Sequence, residues 1–290
     1  MAAGRGAPGD GRGTDLRRRL DRFRAAHAPR TMRHAGTEWR YLAGGRGPAT
    51  VLVLGGALGI AEFGFLLIEA LEREFRVIAP DYPPLGRVDD LADGLVALLD
   101  REGVAAAQVH GASFGGLLAQ VLLRAAPGRV DSLVLSHTAP PSGSAGAAAL
   151  VSGIVATMPA GLVRALLRRR LGGVLRDADP FYRACFAEGL GRLGKRDLAA
   201  RLRAGAGFAA RRFAANDLDG WRGRVLIIEA DDDPMIAAPS REALRALYPG
   251  AARHLFRGTG HATSILRPEE YNAVVAGFLR GAASGSGERR

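Results

Sequence analysis

The feature that most constrains the fold of this 290-residue chain is the pentapeptide Gly111-Ala112-Ser113-Phe114-Gly115. An apolar run precedes it, and residues 116–126 have the pattern of a helix. A serine between two glycines at a strand-to-helix junction is typical of a nucleophile elbow, a sharp turn that lifts the serine hydroxyl clear of the sheet. Side chains at the flanking positions would collide as strand and helix close on each other. The pentapeptide predicts Ser113 as a nucleophile, although a glycine-rich turn with a capping serine also fits it.

A second glycine-rich loop, Gly55-Gly56-Ala57-Leu58-Gly59, follows the continuous apolar run 50–54. Such a run is typical of a buried strand in a parallel sheet. A loop after that strand can bring a backbone N–H close to the elbow serine, where it would stabilise a developing oxyanion. We predict the N–H groups of Ala57 and Phe114 as the two donors of an oxyanion hole. The alternative for this loop is an ordinary strand-to-helix turn.

Strand and helix patterns alternate along most of the chain, which predicts an α/β fold with a mostly parallel sheet and helices on both faces. We predict strands at residues 37–42, 50–54, 75–80, 106–110, 132–136, 224–228 and 254–256. We predict helices at residues 63–74, 88–101, 116–126, 239–247 and 268–279. A short basic helix is also expected near Leu16, Leu20 and Phe23, which fall at helical spacing.

Strand patterns stop between the fifth and sixth predicted strands, and this divides the chain. We expect a sheet domain at residues 14–137 and 222–280, with a helical cap inserted at residues 138–221, because a stretch of that length is too long for a loop. Residues 1–13 and the Gly/Ser-rich residues 281–290 are expected to be disordered. Within the cap, helical patterns occur near residues 147–157, 160–171, 179–192 and 196–205.

The chain order of three side-chain types indicates the chemistry. After Ser113 come an aspartate run at the end of a strand and then His261, in a glycine-flanked loop past the last strand. A serine hydroxyl needs a base within hydrogen-bond reach, and that base needs a group that orients it. We predict His261 as the base and Asp233 as the orienting acid, because Asp233 ends the turn just before Pro234; Asp231 and Asp232 are also candidates, with Asp232 the stronger of the two. We expect His110 and His137 close to the same site, as supporting or core side chains. Contact of either histidine with the substrate is an alternative.

The net charge of +11 suggests nucleic acid or an anionic membrane as partners, but we predict neither. Nearly all the basic residues are arginine, Lys195 is the only lysine, and no nucleic-acid-binding motif accompanies them. We expect no transmembrane helix and no signal peptide, because apolar runs are short and the basic start lacks an apolar stretch. The single cysteine, Cys185, agrees with a cytoplasmic location, and no ligand spacing indicates a metal or a cofactor.

Taken together, four ordered motifs resemble those of the α/β-hydrolase superfamily. They are the loop at 54–59, the elbow at 110–116, the aspartate turn at 230–234 and the segment 258–261. The sequence departs from common members at Gly55, where a histidine often precedes the loop glycine, but the backbone N–H of Ala57 is retained. The resemblance implies the α/β-hydrolase fold and a Ser-His-Asp triad.

Within that superfamily the chain is similar to the maspardin group. The similarity lies in residues 77–83, 111–120 and 247–251. It implies a protein that keeps the fold but acts mainly as a binding partner, and animal members lack a histidine at the position of His261, which is present here.

The sequence therefore favours a serine hydrolase that acts on a small-molecule ester with an apolar moiety. Two alternatives remain: a maspardin-like binding protein that has no catalysis, and an acyltransferase that uses the same triad. A serine at the elbow disfavours epoxide hydrolase and dehalogenase chemistry, which use aspartate there. No sequence pattern indicates the oligomeric state.

Overall fold

The computed structural model describes residues 10–143, 153 and 157–285. Eight strands form one sheet in the order β1-β2-β4-β3-β5-β6-β7-β8. The strands are β1 (Arg30–His34), β2 (Thr37–Gly44), β3 (Thr50–Leu54), β4 (Arg76–Pro80), β5 (Ala107–Ala112), β6 (Val130–Ser136), β7 (Arg224–Ala230) and β8 (Ala252–Phe256). Strand β2 pairs antiparallel with both β1 and β4, and every other pairing is parallel. The carboxyl ends of the six parallel strands therefore meet at one edge of the sheet.

The described α-helices cover both faces of this sheet. They are α1 (Asp10–Ala26), α2 (Phe65–Leu71), α3 (Val88–Arg101), α4 (Phe114–Ala125), α5 (Ala160–Val174), α6 (Pro180–Arg192), α7 (Lys195–Ala209), α8 (Ala238–Leu247), α9 (Thr263–Leu266) and α10 (Pro268–Gly285). One apolar cluster joins α3 and α4 to the sheet through residues such as Leu95 and Leu118. A second joins α1, α2 and α10 to the opposite face through Leu20, Ile68 and Val275. The predicted α/β fold, with a mostly parallel sheet covered on both faces, is confirmed.

We call the segment predicted as a helical cap, residues 138–221, the cap. Its described part contains the helices α5, α6 and α7 and a short 3₁₀ helix, Ala215–Leu218. Among its described residues there is no strand. Most of the helix predicted at 147–157 lies outside the described residues. The segment leaves the sheet at the carboxyl end of β6 and returns to it at the amino end of β7, so it begins at the sheet edge where the parallel strands end.

The expected disorder at the chain ends was wrong in part, and two short elements were not predicted. Helix α1 already begins at Asp10 and α10 continues to Gly285, so residues 10–13 and 281–285 are helical where we expected disorder; the rest of both expected tails lies outside the described residues. Strand β1 was not predicted, because only Met32 of its five residues is buried and no alternation of apolar residues marks it. The short helix α9 was missed for a similar reason, since four residues are too few for a periodic pattern.

Candidate active site

Ser113 lies on a sharp turn between β5 and α4. Its backbone has φ 52° and ψ −117°, a conformation that non-glycine residues rarely adopt. The glycines around it leave no room for side chains: a Cβ at Gly111 would lie 2.6 Å from the Gly115 carbonyl oxygen, and one at Gly115 would lie 2.1 Å from the Leu54 carbonyl oxygen. The strained turn is held from both sides, because the Ser113 N–H donates to the Ser136 carbonyl at 2.9 Å and the Thr138 hydroxyl donates to the Ser113 carbonyl at 2.9 Å. The hydroxyl of Thr138 was not singled out from sequence.

The structure brings Ser113, His261 and Asp233 together. The Nε2 atom of His261 lies 3.0 Å from the Oγ of Ser113. Its Nδ1 atom lies 2.9 Å from Oδ2 and 3.1 Å from Oδ1 of Asp233. Both ring nitrogens therefore lie at hydrogen-bond distance from a side chain, one from the Ser113 hydroxyl and one from the carboxylate of Asp233, a residue that is only 7% exposed. This arrangement has the order hydroxyl, imidazole, carboxylate that activates a serine.

Asp233 differs from its two neighbours in what it contacts. Burial raises the pKa of its carboxyl group, but the hydrogen bond and the charge of His261 and the N–H of Met235 outweigh that effect and hold the pKa below the usual value. The Oδ1 atom of Asp232 instead accepts the Gly260 N–H at 2.9 Å, and Oδ1 of Asp231 accepts the Gly258 N–H at 3.0 Å. Of the three aspartates considered from sequence, Asp233 contacts the imidazole, whereas Asp231 and Asp232 accept hydrogen bonds from backbone N–H groups of the loop that carries it.

The two predicted oxyanion donors lie in segments that border Ser113. Phe114 is the first residue of α4, where the backbone N–H has no acceptor within the helix. Ala57 is an exposed residue of a turn closed by the Gly59 N–H, which donates to the Gly56 carbonyl at 2.9 Å. A Cβ at Gly56 would lie 3.9 Å from the Cβ of Ser113, so this loop lies directly beside the serine.

Behind the imidazole of His261 runs a buried chain of polar side chains. His137 meets His261 edge to face, with ring centroids 5.7 Å apart. The ring nitrogens of His137 hydrogen-bond to Ser136 at 2.9 Å and to Thr263 at 2.7 Å. The chain continues from Ser136 to the hydroxyl of Tyr271 at 2.8 Å, and from there to His110 at 2.7 Å. Burial lowers the pKa of His110 to about 4, and burial together with the charge of the neighbouring His261 lowers the pKa of His137 to about 4, so both rings are uncharged at neutral pH.

The cap packs against the site from two sides. Leu58, in the loop beside Ser113, packs with Val163, Leu193 and Leu198 of the cap segment. On the other side, Ala262 follows His261 directly and packs in a cluster with cap residues that include Leu175 and Ala178. Apolar clusters of the cap therefore border both the loop beside Ser113 and the segment that follows His261.

We found no structural basis for a metal or a membrane span in the part of the chain that the structure describes. Across residues 10–143, 153 and 157–285, no group of three or more His, Cys, Asp or Glu side chains is placed to hold a metal ion. Over the same residues, no helix combines the length and apolar character that crossing a bilayer requires. Cys185 is a buried free thiol, and burial raises its pKa to about 11, which leaves it protonated.

Comparison with known proteins gives a family match over most of the chain. Residues 49–268 match the family model described as alpha/beta hydrolase fold. A poly(3-hydroxyalkanoate) depolymerase from Ectopseudomonas oleovorans is 28% identical over 244 residues, which cover 79% of this chain and 84% of the depolymerase.

Solved structures support the same fold. A hydrolase from Pseudomonas aeruginosa PA01 superposes with a TM-score of 0.76 at 22% identity, over 87% of this chain and 98% of the other. The enol-lactonase from Burkholderia xenovorans LB400 superposes with a TM-score of 0.75 at 20% identity, over 87% of this chain and 100% of the other. These comparisons do not support the narrower resemblance to the maspardin group.

Proposed function

The chain belongs to the α/β-hydrolase family, and from that premise we propose that it is a serine hydrolase that cleaves carboxylic ester bonds. The observation that carries the proposal is the 3.0 Å distance between the Oγ of Ser113 and the Nε2 of His261. A base at hydrogen-bond distance from a hydroxyl can take its proton as the hydroxyl attacks a carbonyl carbon. Asp233, on the far side of the ring, orients the imidazole and stabilises the imidazolium that forms.

The proposed reaction has two halves. In the first, the Oγ of Ser113 attacks the ester carbonyl, His261 accepts the hydroxyl proton, and the tetrahedral intermediate collapses as His261 gives that proton to the leaving alkoxide. An acyl-enzyme remains. In the second half, water gives a proton to His261 and attacks the acyl carbon, and the serine leaves with the proton returned, which releases the carboxylic acid.

The N–H groups of Phe114 and Ala57 are proposed to bind the oxyanion of both tetrahedral intermediates. Phe114 offers a helix-end N–H with no intrahelical acceptor, and the Ala57 loop borders the serine. A preorganised donor of this kind contributes about 3 kcal/mol of transition-state stabilisation, because it meets charge that develops only during the reaction.

We propose a small ester with an apolar acyl or alcohol part as the substrate. The support is the position of Leu58 and Ala262, which join the two sides of the site to apolar clusters of the cap. The relative from Ectopseudomonas oleovorans is named for depolymerising a poly(3-hydroxyalkanoate), a polyester, which favours ester bonds over amides.

A fluorophosphonate probe tests the proposal, because it labels only a serine that a base activates. We expect labelling of the wild-type protein and of Ser240→Ala, a matched control in α8, and no labelling of Ser113→Ala. A series of p-nitrophenyl esters with acyl chains of increasing length should show turnover that rises with chain length. A folded wild-type protein that the probe does not label would favour the non-catalytic binding alternative. Preferential acyl transfer to an added alcohol over water would identify an acyltransferase.

A further inference from the structure

Tyr82 contacts both segments that carry the proposed oxyanion donors. It follows β4 at the same sheet edge as the elbow. Its backbone N–H donates to the Gly59 carbonyl at 2.9 Å, and its hydroxyl donates to the Gly55 carbonyl at 2.8 Å. One residue thus holds both ends of the loop that contains Ala57. Its ring also packs against the ring of Phe114, with centroids 5.7 Å apart.

Arg201 of the cap holds Tyr82 in turn. Its guanidinium donates to the backbone carbonyl of Tyr82 and, at 2.8 Å, to that of Pro83. It also lies over the Tyr82 ring, 5.1 Å from the centroid. A Cβ at Gly59 would lie 2.5 Å from the Tyr82 ring and 2.9 Å from an Nη atom of Arg201, so the three residues are in close packing.

The environment of Arg201 is unusual for an arginine. The residue is only 6% exposed and, within the described residues, it forms no ion pair with a carboxylate. Its Nε is buried without a hydrogen-bond partner there. A guanidinium in such a place costs solvation free energy, which the two carbonyls and the aromatic ring offset. If this position served packing alone, an apolar side chain would fill it without the free-energy cost of desolvating a charge.

We propose that Tyr82 is a positioning residue for the oxyanion hole, and that Arg201 couples the docking of the cap to it. Tyr82 fixes the loop of Ala57 relative to Phe114, so that both N–H groups face the same point. Arg201 holds Tyr82 only while α7 lies on the sheet edge. The inference rests on the proposed function and adds that the hole is fully ordered only when the cap is closed.

The first test is Tyr82→Phe, which removes the hydrogen bond to Gly55 and keeps the ring. Tyr248→Phe is the matched control, because Tyr248 is another buried tyrosine whose hydroxyl is hydrogen-bonded, in this case to Arg124 at 2.9 Å, and which has an arginine over its ring. We expect Tyr82→Phe to lower kcat on a p-nitrophenyl ester about tenfold with little change in KM. The reason is that the loop of Ala57 loses one hydrogen bond that orients it for the transition state. The inhibition constant of a trifluoromethyl ketone, which forms an oxyanion on Ser113, should rise by the same factor. Tyr248→Phe should change neither.

The second test replaces Arg201 by Met, with the exposed Arg203→Met on the same helix as control. Arg201→Met should lower kcat in the same manner and increase hydrogen exchange in α7, whereas Arg203→Met should leave both unchanged. If the wild-type protein is active, equal kcat values and equal inhibition constants in Tyr82→Phe, Arg201→Met and the controls would overturn this inference and leave the proposed function standing. A wild-type protein that is neither labelled by fluorophosphonate nor active on esters would overturn the proposed function and this inference with it.

Discussion

The Nε2 atom of His261 lies 3.0 Å from the Oγ of Ser113, although the two residues are 148 positions apart in the chain. The contact depends on two separate parts of the sheet. The elbow after β5 sets the position of the serine, and the loop after β8 sets that of the imidazole. Because β6 and β7 lie between these strands, the contact exists only when the sheet forms with the observed strand order. Local structure at either end is not sufficient for it.

Replacing Asp233 should reduce activity far more than replacing Asp232. Asp233→Asn removes the charge that stabilises the imidazolium and allows the wrong tautomer of His261, so we expect kcat to fall by about 10³ to 10⁴. Asp232 contacts the Gly260 N–H instead, and an amide oxygen in Asp232→Asn can accept the same bond. Steady-state kinetics on a p-nitrophenyl ester would check this. Similar losses in both variants would show that Asp233 has no special role.

Gly115 should not tolerate alanine. The added Cβ would lie 2.1 Å from the carbonyl oxygen of Leu54, a backbone atom in the central strand β3 that cannot move aside. We expect Gly115→Ala to lower the free energy of unfolding by about 3 kcal/mol or more and to displace Ser113. The control is Gly205→Ala in α7, where a Cβ meets nothing within 4 Å and should stabilise the helix by about 1 kcal/mol. Urea unfolding measures both. A Gly115→Ala protein with wild-type stability would contradict the observed packing at the elbow.

The elbow and the chain order of the triad were predictable because they depend on local patterns. Glycine spacing marks the turn at Ser113, and the ends of apolar runs mark the sheet edge where Asp233 and His261 lie. The fold follows from these patterns and is confirmed, and the three side chains do meet. Their catalytic roles remain predictions.

The supporting residues were not predictable in the same way. Tyr82 and Tyr271 act through contacts with residues that are distant in sequence, so no local pattern distinguishes them from other buried tyrosines. Arg201 carried no signal either, since a scattered arginine is usually exposed, and only the docking of α7 buries it. Such roles depend on tertiary packing, whereas the position of a turn or a strand end depends on residues that are neighbours in the sequence.

An ion-pair cluster should fix the N-terminal helix on the cap. Glu62 accepts hydrogen bonds from Arg24 at 2.8 Å and from Arg192 at 2.6 Å, and Arg24 also reaches Glu188 at 2.9 Å. Although burial raises the pKa of Glu62, the hydrogen bonds from both arginines hold it below the usual value. Glu62→Gln removes the carboxylate that both arginines share and leaves Glu188 as their remaining partner in the cluster, so we expect a loss of about 2 kcal/mol in the free energy of unfolding.

The matched control for that prediction is Glu270→Gln. Glu270 pairs with Arg267 at 3.4 Å, and both side chains are about half exposed, so its loss should cost below about 0.5 kcal/mol. Urea unfolding at low and high salt separates the two cases, because salt screens an exposed pair more strongly than a partly buried cluster. Equal costs for the two variants would mean that the cluster adds no more stability than a surface pair.

The two buried histidines should make the fold sensitive to acid in a defined pH window. His110 and His137 have pKa values lowered to about 4, mainly by burial, whereas an unfolded histidine has a pKa of about 6.5. Between these values the unfolded chain binds more protons than the folded one, so stability is complete above pH 6.5 and falls as the pH drops toward 4. Each ring accounts for about 3 kcal/mol over that range. The lowered pKa of Asp233 reduces the free energy of unfolding only below a pH of about 3.9, the pKa of an unfolded aspartate. The histidine and aspartate contributions therefore fall in different pH ranges.

Urea unfolding at pH 7, 6, 5 and 4 measures this dependence directly. We expect the slope between pH 6 and 5 to be smaller in His110→Gln than in the wild-type protein, because one titrating ring is gone, even if the variant is less stable at every pH. The slope should fall again in the double variant with His137→Asn. A wild-type free energy of unfolding that stays constant from pH 7 to 4 would show that both rings titrate in the folded protein as they do in the unfolded chain, as water-exposed rings would. That outcome would contradict the burial of the polar chain behind His261.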